Sequence, residues 1–176
     1  MPDVAEEIVK NLAAKGKIIA AAESCTAGLA ADLIAGVSGA SRVFWGSFVT
    51  YMADAKTKML GVSGDLIKQE GAVSRAVALA MAEGALKKSG ASFAFSITGL
   101  AGPGRADGLD QDSSPAMAAV PVGTVWVGIA GKDSGKGIQS EAKMFRFTGS
   151  RNEVRKAAAM AALEEVLERI LTEEAF

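Results

Sequence analysis

The sequence predicts an α/β fold, namely a three-layer α/β/α sandwich with a mixed sheet in a single domain. Helical and strand patterns alternate over the first two thirds of the chain, which is typical of helices layered on a sheet. A strand pair and a long helix finish the chain. The 176 residues are only 6% aromatic and are rich in alanine and glycine, which favours close-packed helices over an all-β sandwich. We expect one domain over residues 1–176.

Six helices are predicted from apolar spacing and from stop signals. In the first, Val4, Ile8 and Leu12 recur every four residues, and Gly16 follows as a stop. The predicted helices are 4–15, a second that begins within 23–28 and ends near residue 34, then 54–60, 63–71, 75–88 and 150–171.

Capping residues support four of these helices. Asp54, Ser63 and Ser74 each stand where an N-cap is expected. Ser150 and Glu153 have the spacing of a capping box at the start of the last helix.

Five strands are predicted from short apolar, β-branched or aromatic runs. They are 17–22, 44–51, 92–97, 124–130 and 142–147. The last two are expected to form a pair joined by a glycine-rich segment. Segment 105–121 contains three Asp, two Ser and two Pro, and is predicted to be a mobile loop within the domain.

Histidine is absent from the sequence, and there is one cysteine, Cys25. This composition excludes a Ser-His-Asp triad, a Cys-His pair and histidine-ligated zinc. It also excludes an intramolecular disulfide and a multi-cysteine metal site. No metal or redox cofactor is implied. Any proton transfer must use Lys, Tyr, Asp, Glu or water.

Charge and hydropathy narrow the partners and the location. Nineteen Lys plus Arg against twenty Asp plus Glu give a net charge of -1, with no long basic block for a nucleic acid. Every apolar run is too short to span a bilayer, and the N-terminus is acidic where a secretory signal would be basic. We therefore expect a cytoplasmic protein with no nucleic-acid or membrane partner.

Two strand ends are candidates for one binding cleft. Residues 22–28 and 96–104 each follow a buried strand with hydroxyl-bearing and small residues. The carboxyl ends of neighbouring parallel strands converge on one crevice, and a helix start near residue 28 would offer free N–H groups to an oxyanion. A plain N-cap at Ser24 or Thr26 and a plain turn at 99–104 explain the same residues equally well.

Lys56 is the candidate base. It falls in the first turn of the predicted helix that follows Tyr51, where the helix dipole favours a neutral amine. To be half neutral near pH 7 its pKa must fall by roughly 3 units, or about 4 kcal/mol, which requires burial as well. The alternative is an ordinary solvated surface lysine.

Two further residues have a functional and an ordinary interpretation. Arg151, in the first turn of the last helix, opposes the dipole there and indicates an anion partner, unless it is simply solvated. Cys25 is either a thiol nucleophile activated at a helix start or a buried packing residue.

The sequence resembles the C-terminal domain family of the competence/damage-inducible protein CinA. The resemblance covers nearly the whole chain and rests on five segments in series, which are Ala22-Glu23-Ser24-Cys25-Thr26-Ala27-Gly28, 48–56, Gly71-Ala72-Val73-Ser74, 97–103 and 121–126. It implies a stand-alone copy of a domain that elsewhere is fused to a nucleotide-binding domain. It also implies an amidohydrolase that converts nicotinamide mononucleotide to nicotinic acid mononucleotide and ammonia, in pyridine-nucleotide recycling.

The resemblance implies roles for particular residues. Ser24 corresponds to the nucleophile and Lys56 to its base, with Tyr51 assisting. The hydroxyls expected near the site are those of Ser41 and Thr98.

The other implied contacts are with substrate. The backbone of Thr26, Ala27 and Gly28 is expected to hold the oxyanion. The substrate phosphate is expected on an arginine and on the loop that contains Gly99 and Gly102. Arg151 is the candidate arginine and Arg146 is its rival.

The chain departs from the family pattern at two places. Ala27 stands where the family usually has glycine, and its methyl group is expected to narrow a backbone-lined pocket. The loop 105–121 is longer than usual and is either a lid or disordered.

Alternatives remain for the function and for the partners. A non-catalytic nucleotide-binding module fits the same glycine-rich strand ends. A thiol enzyme that uses Cys25 is the third hypothesis. The expected partner is a small nucleotide substrate, and a second copy of the chain is another candidate because the alanine-rich last helix can pack on the core or on that copy.

Overall fold

The sheet at the centre of the protein is mixed and has five strands. The computed structural model describes residues 3–102, 120–133, 135 and 137–172. The strands are β1 (Ile19–Glu23), β2 (Phe44–Val49), β3 (Phe93–Gly99), β4 (Thr124–Asp133) and β5 (Gly137–Arg146). Their order is β2-β1-β3-β4-β5. β1 runs parallel to both β2 and β3, whereas β3–β4 and β4–β5 are antiparallel.

Helices cover both faces of this sheet. They are α1 (Val4–Lys15), α2 (Leu29–Ala35), α3 (Ala53–Leu60), α4 (Gly64–Glu70), α5 (Arg75–Ser89) and α6 (Arg151–Leu171). One apolar cluster joins the sheet to α1, α2 and α6, and a second joins it to α3, α4 and α5. Successive residues of a strand point to opposite faces, so Ile19 and Ala21 enter the first cluster while Ala20 and Ala22 enter the second. The predicted three-layer α/β/α sandwich is confirmed.

Local capping signals predicted most helix ends correctly. α1 has the predicted bounds, and it ends at Gly16, whose φ of 60° suits glycine. Ser63 and Ser74 cap α4 and α5 through their side chains. Ser150 and Glu153 form the predicted capping box of α6. The alanine-rich face of α6 packs on the core of its own chain.

Two predicted helix starts are wrong. α2 begins at Leu29 rather than within 23–28, because Ala27 and Gly28 have φ values of 52° and 98°, which a right-handed helix cannot continue. Asp54 does not cap α3, whose N-cap is Met52 without a side-chain bond. Asp54 instead pairs with Lys58 on the surface at 2.8 Å.

The predicted mobile loop 105–121 lies outside the described residues, except for its last two positions. No helix in the described part of the chain is both long and apolar enough to cross a membrane. β4 and β5 are each longer than predicted and form an antiparallel hairpin.

Candidate active site

The carboxyl ends of β1 and β3 lie side by side, as the sequence predicts. Glu23 pairs with Ile97 across the two strands, and the Ser24 amide donates to the Ile97 carbonyl at 2.9 Å. The Thr50 amide, after β2, donates to the Glu23 carbonyl at 2.7 Å. Three strand ends therefore meet where the two predicted segments converge.

Ser24 and Lys56 are in contact at this edge of the sheet. Lys56 Nζ lies 2.8 Å from Ser24 Oγ and 2.8 Å from the Thr50 carbonyl oxygen. The Tyr51 carbonyl oxygen is 3.5 Å from the same nitrogen. Lys56 is the fourth residue of α3, and only 1% of it is exposed. The alternative of a solvated surface lysine is therefore wrong.

Burial changes the protonation of Lys56. Removal from water penalises the charged ammonium and lowers the pKa of Lys56 from 10.5 to about 8. Among the described residues no carboxylate forms an ion pair with it. With this pKa about a tenth of Lys56 is neutral at pH 7, and the neutral form is the one that a base requires.

Glu23 organises the turn after β1, and the sequence analysis did not identify it. It is fully buried, and its carboxylate accepts from the Gly28, Ala30 and Ala31 amides at 2.9, 3.1 and 3.0 Å. The Ser47 hydroxyl donates to it at 3.1 Å. The carboxylate thus serves the free N–H groups at the start of α2, where Gly28 has no capping side chain. A charged residue inside an otherwise apolar strand was the signal for this role.

Arg155 holds the other side of the same turn and was also missed. From α6 it donates Nε to the Cys25 carbonyl at 3.0 Å and Nη2 to the Thr26 carbonyl at 2.9 Å. Its Nη1 donates to Asn152 at 3.1 Å. The signal was its position one helical turn after Arg151, which places both arginines on one face of the helix.

The backbone donors of the turn differ from the predicted set. The Gly28 amide is bound to Glu23, and the Ala27 amide donates to the Ser24 carbonyl at 3.1 Å. Two of the three predicted oxyanion donors are therefore already bound to acceptors within the protein. The Thr26 amide has no acceptor within the described structure, and the buried Thr26 hydroxyl has none either.

The comparisons with known proteins identify the family. The family model of the CinA C-terminal domain matches residues 2–170. The chain belongs to the CinA C-terminal domain family. It is 42% identical over 169 residues to nicotinamide-nucleotide amidohydrolase PncC of Enterobacter agglomerans, covering 96% of this chain and 94% of that protein. The PncC of Escherichia coli K12 is 39% identical over 168 residues, with 96% and 93% covered.

Other members of the CinA family are longer. The chain is 42% identical over 166 residues to a putative competence-damage inducible protein of Caldicellulosiruptor saccharolyticus, but covers only 37% of that protein's length. A solved CinA superfamily structure from Escherichia coli has 30% identity and a TM-score of 0.81, with 94% of this chain and 87% of that chain covered. A competence/damage inducible protein from Agrobacterium tumefaciens has 36% identity and a TM-score of 0.77, with 96% of both chains covered.

The CinA resemblance implies two hydroxyl residues near the site, Thr98 and Ser41, and only Thr98 lies there. The Thr98 hydroxyl is buried beside the Ser24 turn and donates to the Ala72 carbonyl at 2.7 Å. Ser41 lies in a 3-10 turn (Ala40–Arg42) before the amino end of β2. The Ser24–Lys56 pair lies beyond the carboxyl end of that strand, roughly 17 Å away along six residues. Ser41 is therefore not part of this cluster.

The remaining implied residues lie at the same edge of the sheet. Tyr51 is 51% exposed, and its backbone carbonyl rather than its hydroxyl contacts Lys56. Gly102 lies against Arg151, since an added Cβ would come within 3.2 Å of Arg151 Nε. Gly99 is packed against β4, where a Cβ would lie 2.9 Å from the Thr124 carbonyl oxygen.

Arg146 and Cys25 are less suited to the roles considered for them. Arg146 is exposed at the end of β5, two strands from β3, whereas Arg151 touches the segment after β3. Cys25 is buried, and this burial raises the pKa of its thiol to about 12. This burial favours the interpretation of Cys25 as a packing residue over that of a thiol nucleophile, which requires a populated thiolate.

Proposed function

We propose that this chain is an amidohydrolase that converts nicotinamide mononucleotide and water to nicotinic acid mononucleotide and ammonia, as a step of pyridine-nucleotide recycling. The 2.8 Å contact between Ser24 Oγ and Lys56 Nζ carries this proposal. The near-complete coverage of proteins named nicotinamide-nucleotide amidohydrolase supports the choice of substrate.

The surroundings of Lys56 suit a base. A neutral amine has two N–H donors and one lone pair. The Thr50 and Tyr51 carbonyl oxygens can only accept, so they use the two donors. The lone pair then faces Ser24 Oγ and can take its proton.

The reaction proceeds through an acyl-enzyme in this proposal. Ser24 Oγ attacks the carboxamide carbon while its proton passes to Lys56, and the carbonyl electron pair moves to the oxygen. The ammonium of Lys56 returns the proton to the leaving nitrogen, and ammonia departs. A water molecule then attacks the ester, with Lys56 again as base, which releases the carboxylate and restores Ser24.

Binding groups surround this pair. The Thr26 amide is the donor available to the oxyanion within the turn. We assign the substrate phosphate to Arg151, and its position beside Gly102 supports this choice. Tyr51, whose side chain is half-exposed, assists in this proposal by relaying or orienting the proton of Ser24.

The direct test is release of ammonia from nicotinamide mononucleotide by the purified protein. Ser24→Ala is expected to lower kcat on the order of 10⁶-fold, because the nucleophile is lost. Ser140→Ala is the matched control, since its hydroxyl binds Glu83 and has no part in the site. Binding of the nucleotide without ammonia release would overturn the proposal in favour of a non-catalytic binding module.

A further inference from the structure

Arg155 binds two successive carbonyls of the turn that follows the nucleophile. Its Nε and Nη2 donate to the Cys25 and Thr26 carbonyl oxygens at 3.0 and 2.9 Å. Its Nη1 donates to Asn152 on the same helix, which fixes the guanidinium plane. A planar guanidinium can hold two acceptors at once in a fixed geometry, which a lysine cannot do.

This contact determines the direction of one amide. The carbonyl and the N–H of a trans peptide unit point in opposite directions, and the described chain has no cis peptide bond. The Cys25 carbonyl points towards Arg155 on α6, so the Thr26 N–H points away from α6. α6 covers one face of the sheet, whereas α3, which carries Lys56, covers the other.

The Thr26 amide is the donor that the turn leaves available. The Ala27 and Gly28 amides already bind Ser24 and Glu23. Thr26 is fully buried, and neither its amide nor its hydroxyl has an acceptor among the described residues. Buried polar groups are rarely left unpaired, so a ligand oxygen is the expected acceptor.

The charge of Arg155 also strengthens this donor. A charged donor on the Cys25 carbonyl polarises the whole Cys25–Thr26 peptide unit. The N–H at its other end becomes a better partner for a developing negative charge. The hydrogen bond therefore contributes both direction and strength.

We propose that Arg155 is a positioning residue, which holds the Cys25–Thr26 peptide so that the Thr26 N–H stabilises the oxyanion formed when Ser24 attacks the carboxamide. This inference rests on the proposed deamidase function. In that step the bond between Ser24 Oγ and the carboxamide carbon forms, and the carbonyl electron pair moves onto the oxygen that the Thr26 N–H binds. Arg155 transfers no proton and does not touch the substrate.

The test compares kcat and KM of Arg155→Met and Arg155→Lys with nicotinamide mononucleotide. Loss of one oriented oxyanion donor typically costs about 10²–10³ in kcat, so Arg155→Met is expected to show that loss with KM changed less than about threefold. Arg155→Lys is expected to be intermediate, because an ammonium keeps the charge but lacks the fixed planar geometry that orients two carbonyls. Lys156→Met, an exposed neighbour on α6, is the matched control and is expected to keep the wild-type kcat.

A second readout separates positioning from a general loosening of the site. The midpoint of the pH–rate profile depends on Lys56, so it is expected to stay unchanged in both Arg155 variants. A shifted midpoint, a kcat within threefold of the wild type, or a change confined to KM would overturn the inference. If Arg155→Met does not fold, Arg155→Lys alone decides by the same criteria. A wild-type protein that releases no ammonia would overturn the proposed function instead.

Discussion

Lys56 is a buried basic residue whose neutral form the fold favours. It donates to two carbonyls and contacts one hydroxyl, and no carboxylate within the described structure pairs with it. Its burial therefore has a cost at any pH where a lysine is normally charged. Lowering the pKa from 10.5 to about 8 corresponds to about 3 kcal/mol of lost stability below pH 8.

This cost predicts how the protonation of Lys56 makes the free energy of unfolding depend on pH. Between pH 8 and 10.5 the unfolded chain keeps a proton on Lys56 that the folded chain has released, so stability rises with pH. Relative to Lys56→Met, the wild type is expected to gain about 3 kcal/mol in free energy of unfolding from pH 7 to pH 10.5. Urea unfolding at a series of pH values measures the difference.

The control for that series is Lys58→Met on the same helix. The Lys58 side chain is 73% exposed. The difference in free energy of unfolding between Lys58→Met and the wild type is therefore expected to be nearly independent of pH. If the difference in free energy of unfolding between Lys56→Met and the wild type were also independent of pH, the lowered pKa of Lys56 would be contradicted.

The turn between β1 and α2 is held in place by two side chains that lie outside it. Glu23 accepts from backbone amides where the turn enters α2. Arg155, which lies 130 positions after Cys25 in the chain, donates to carbonyls of the turn. Ala27 adopts a φ of 52° within it, a left-handed conformation that glycine adopts more readily than alanine. Ala27 is exposed, so the effect of its methyl group is backbone strain.

Glu23→Gln tests whether the hydrogen bonds of the Glu23 carboxylate stabilise the turn between β1 and α2. An amide side chain has a donor group, and it would meet N–H donors where the carboxylate accepted four bonds. The free energy of unfolding is expected to fall by about 1–3 kcal/mol, measured by urea denaturation. Glu164→Gln, at an exposed position of α6, is the control and should stay within about 0.5 kcal/mol of the wild type. A Glu23→Gln protein as stable as this control would show that the four bonds are unimportant.

The same element shows where sequence reasoning succeeds and where it ends. The caps at Ser63, Ser74 and Ser150 were predictable because each acts within three residues of itself. The start of α2 was not predictable, because its amides are satisfied by Glu23 from the preceding strand and its turn by Arg155. The sequence marks Glu23 as a charge within an apolar strand and Arg155 as an arginine one turn after Arg151, but it does not specify what either residue binds. The Arg155 contacts join positions 129 and 130 apart, so they depend on tertiary structure.

At the scale of the whole molecule, the site depends on how α3 is seated against α5. A Cβ added at Gly84 of α5 would overlap the backbone carbonyl of Leu60, the last residue of α3. The two helices therefore approach so closely that only glycine fits. Since α3 carries Lys56, this approach positions Lys56 relative to Ser24, which follows the last residue of β1.

Gly84→Ala is expected to weaken both the fold and the activity. Overpacking of this kind typically costs about 1–3 kcal/mol, and displacement of α3 would also lower kcat. Gly64→Ala is the matched control, because a Cβ there meets open space at the start of α4. Thermal unfolding and ammonia release measure the two effects. If Gly84→Ala matched Gly64→Ala in both, the close approach would not matter.

The most direct test of the Ser24–Lys56 pair is the pH dependence of kcat/KM for nicotinamide mononucleotide. A base must be neutral to act, and burial sets the pKa of Lys56 at about 8. We expect kcat/KM to rise with a slope of one to a midpoint of about 8, so that the value at pH 7 is about one tenth of the plateau. A profile that is level from pH 6 to pH 9, or a Lys56→Met variant that keeps the wild-type rate and profile, would contradict the serine–lysine mechanism.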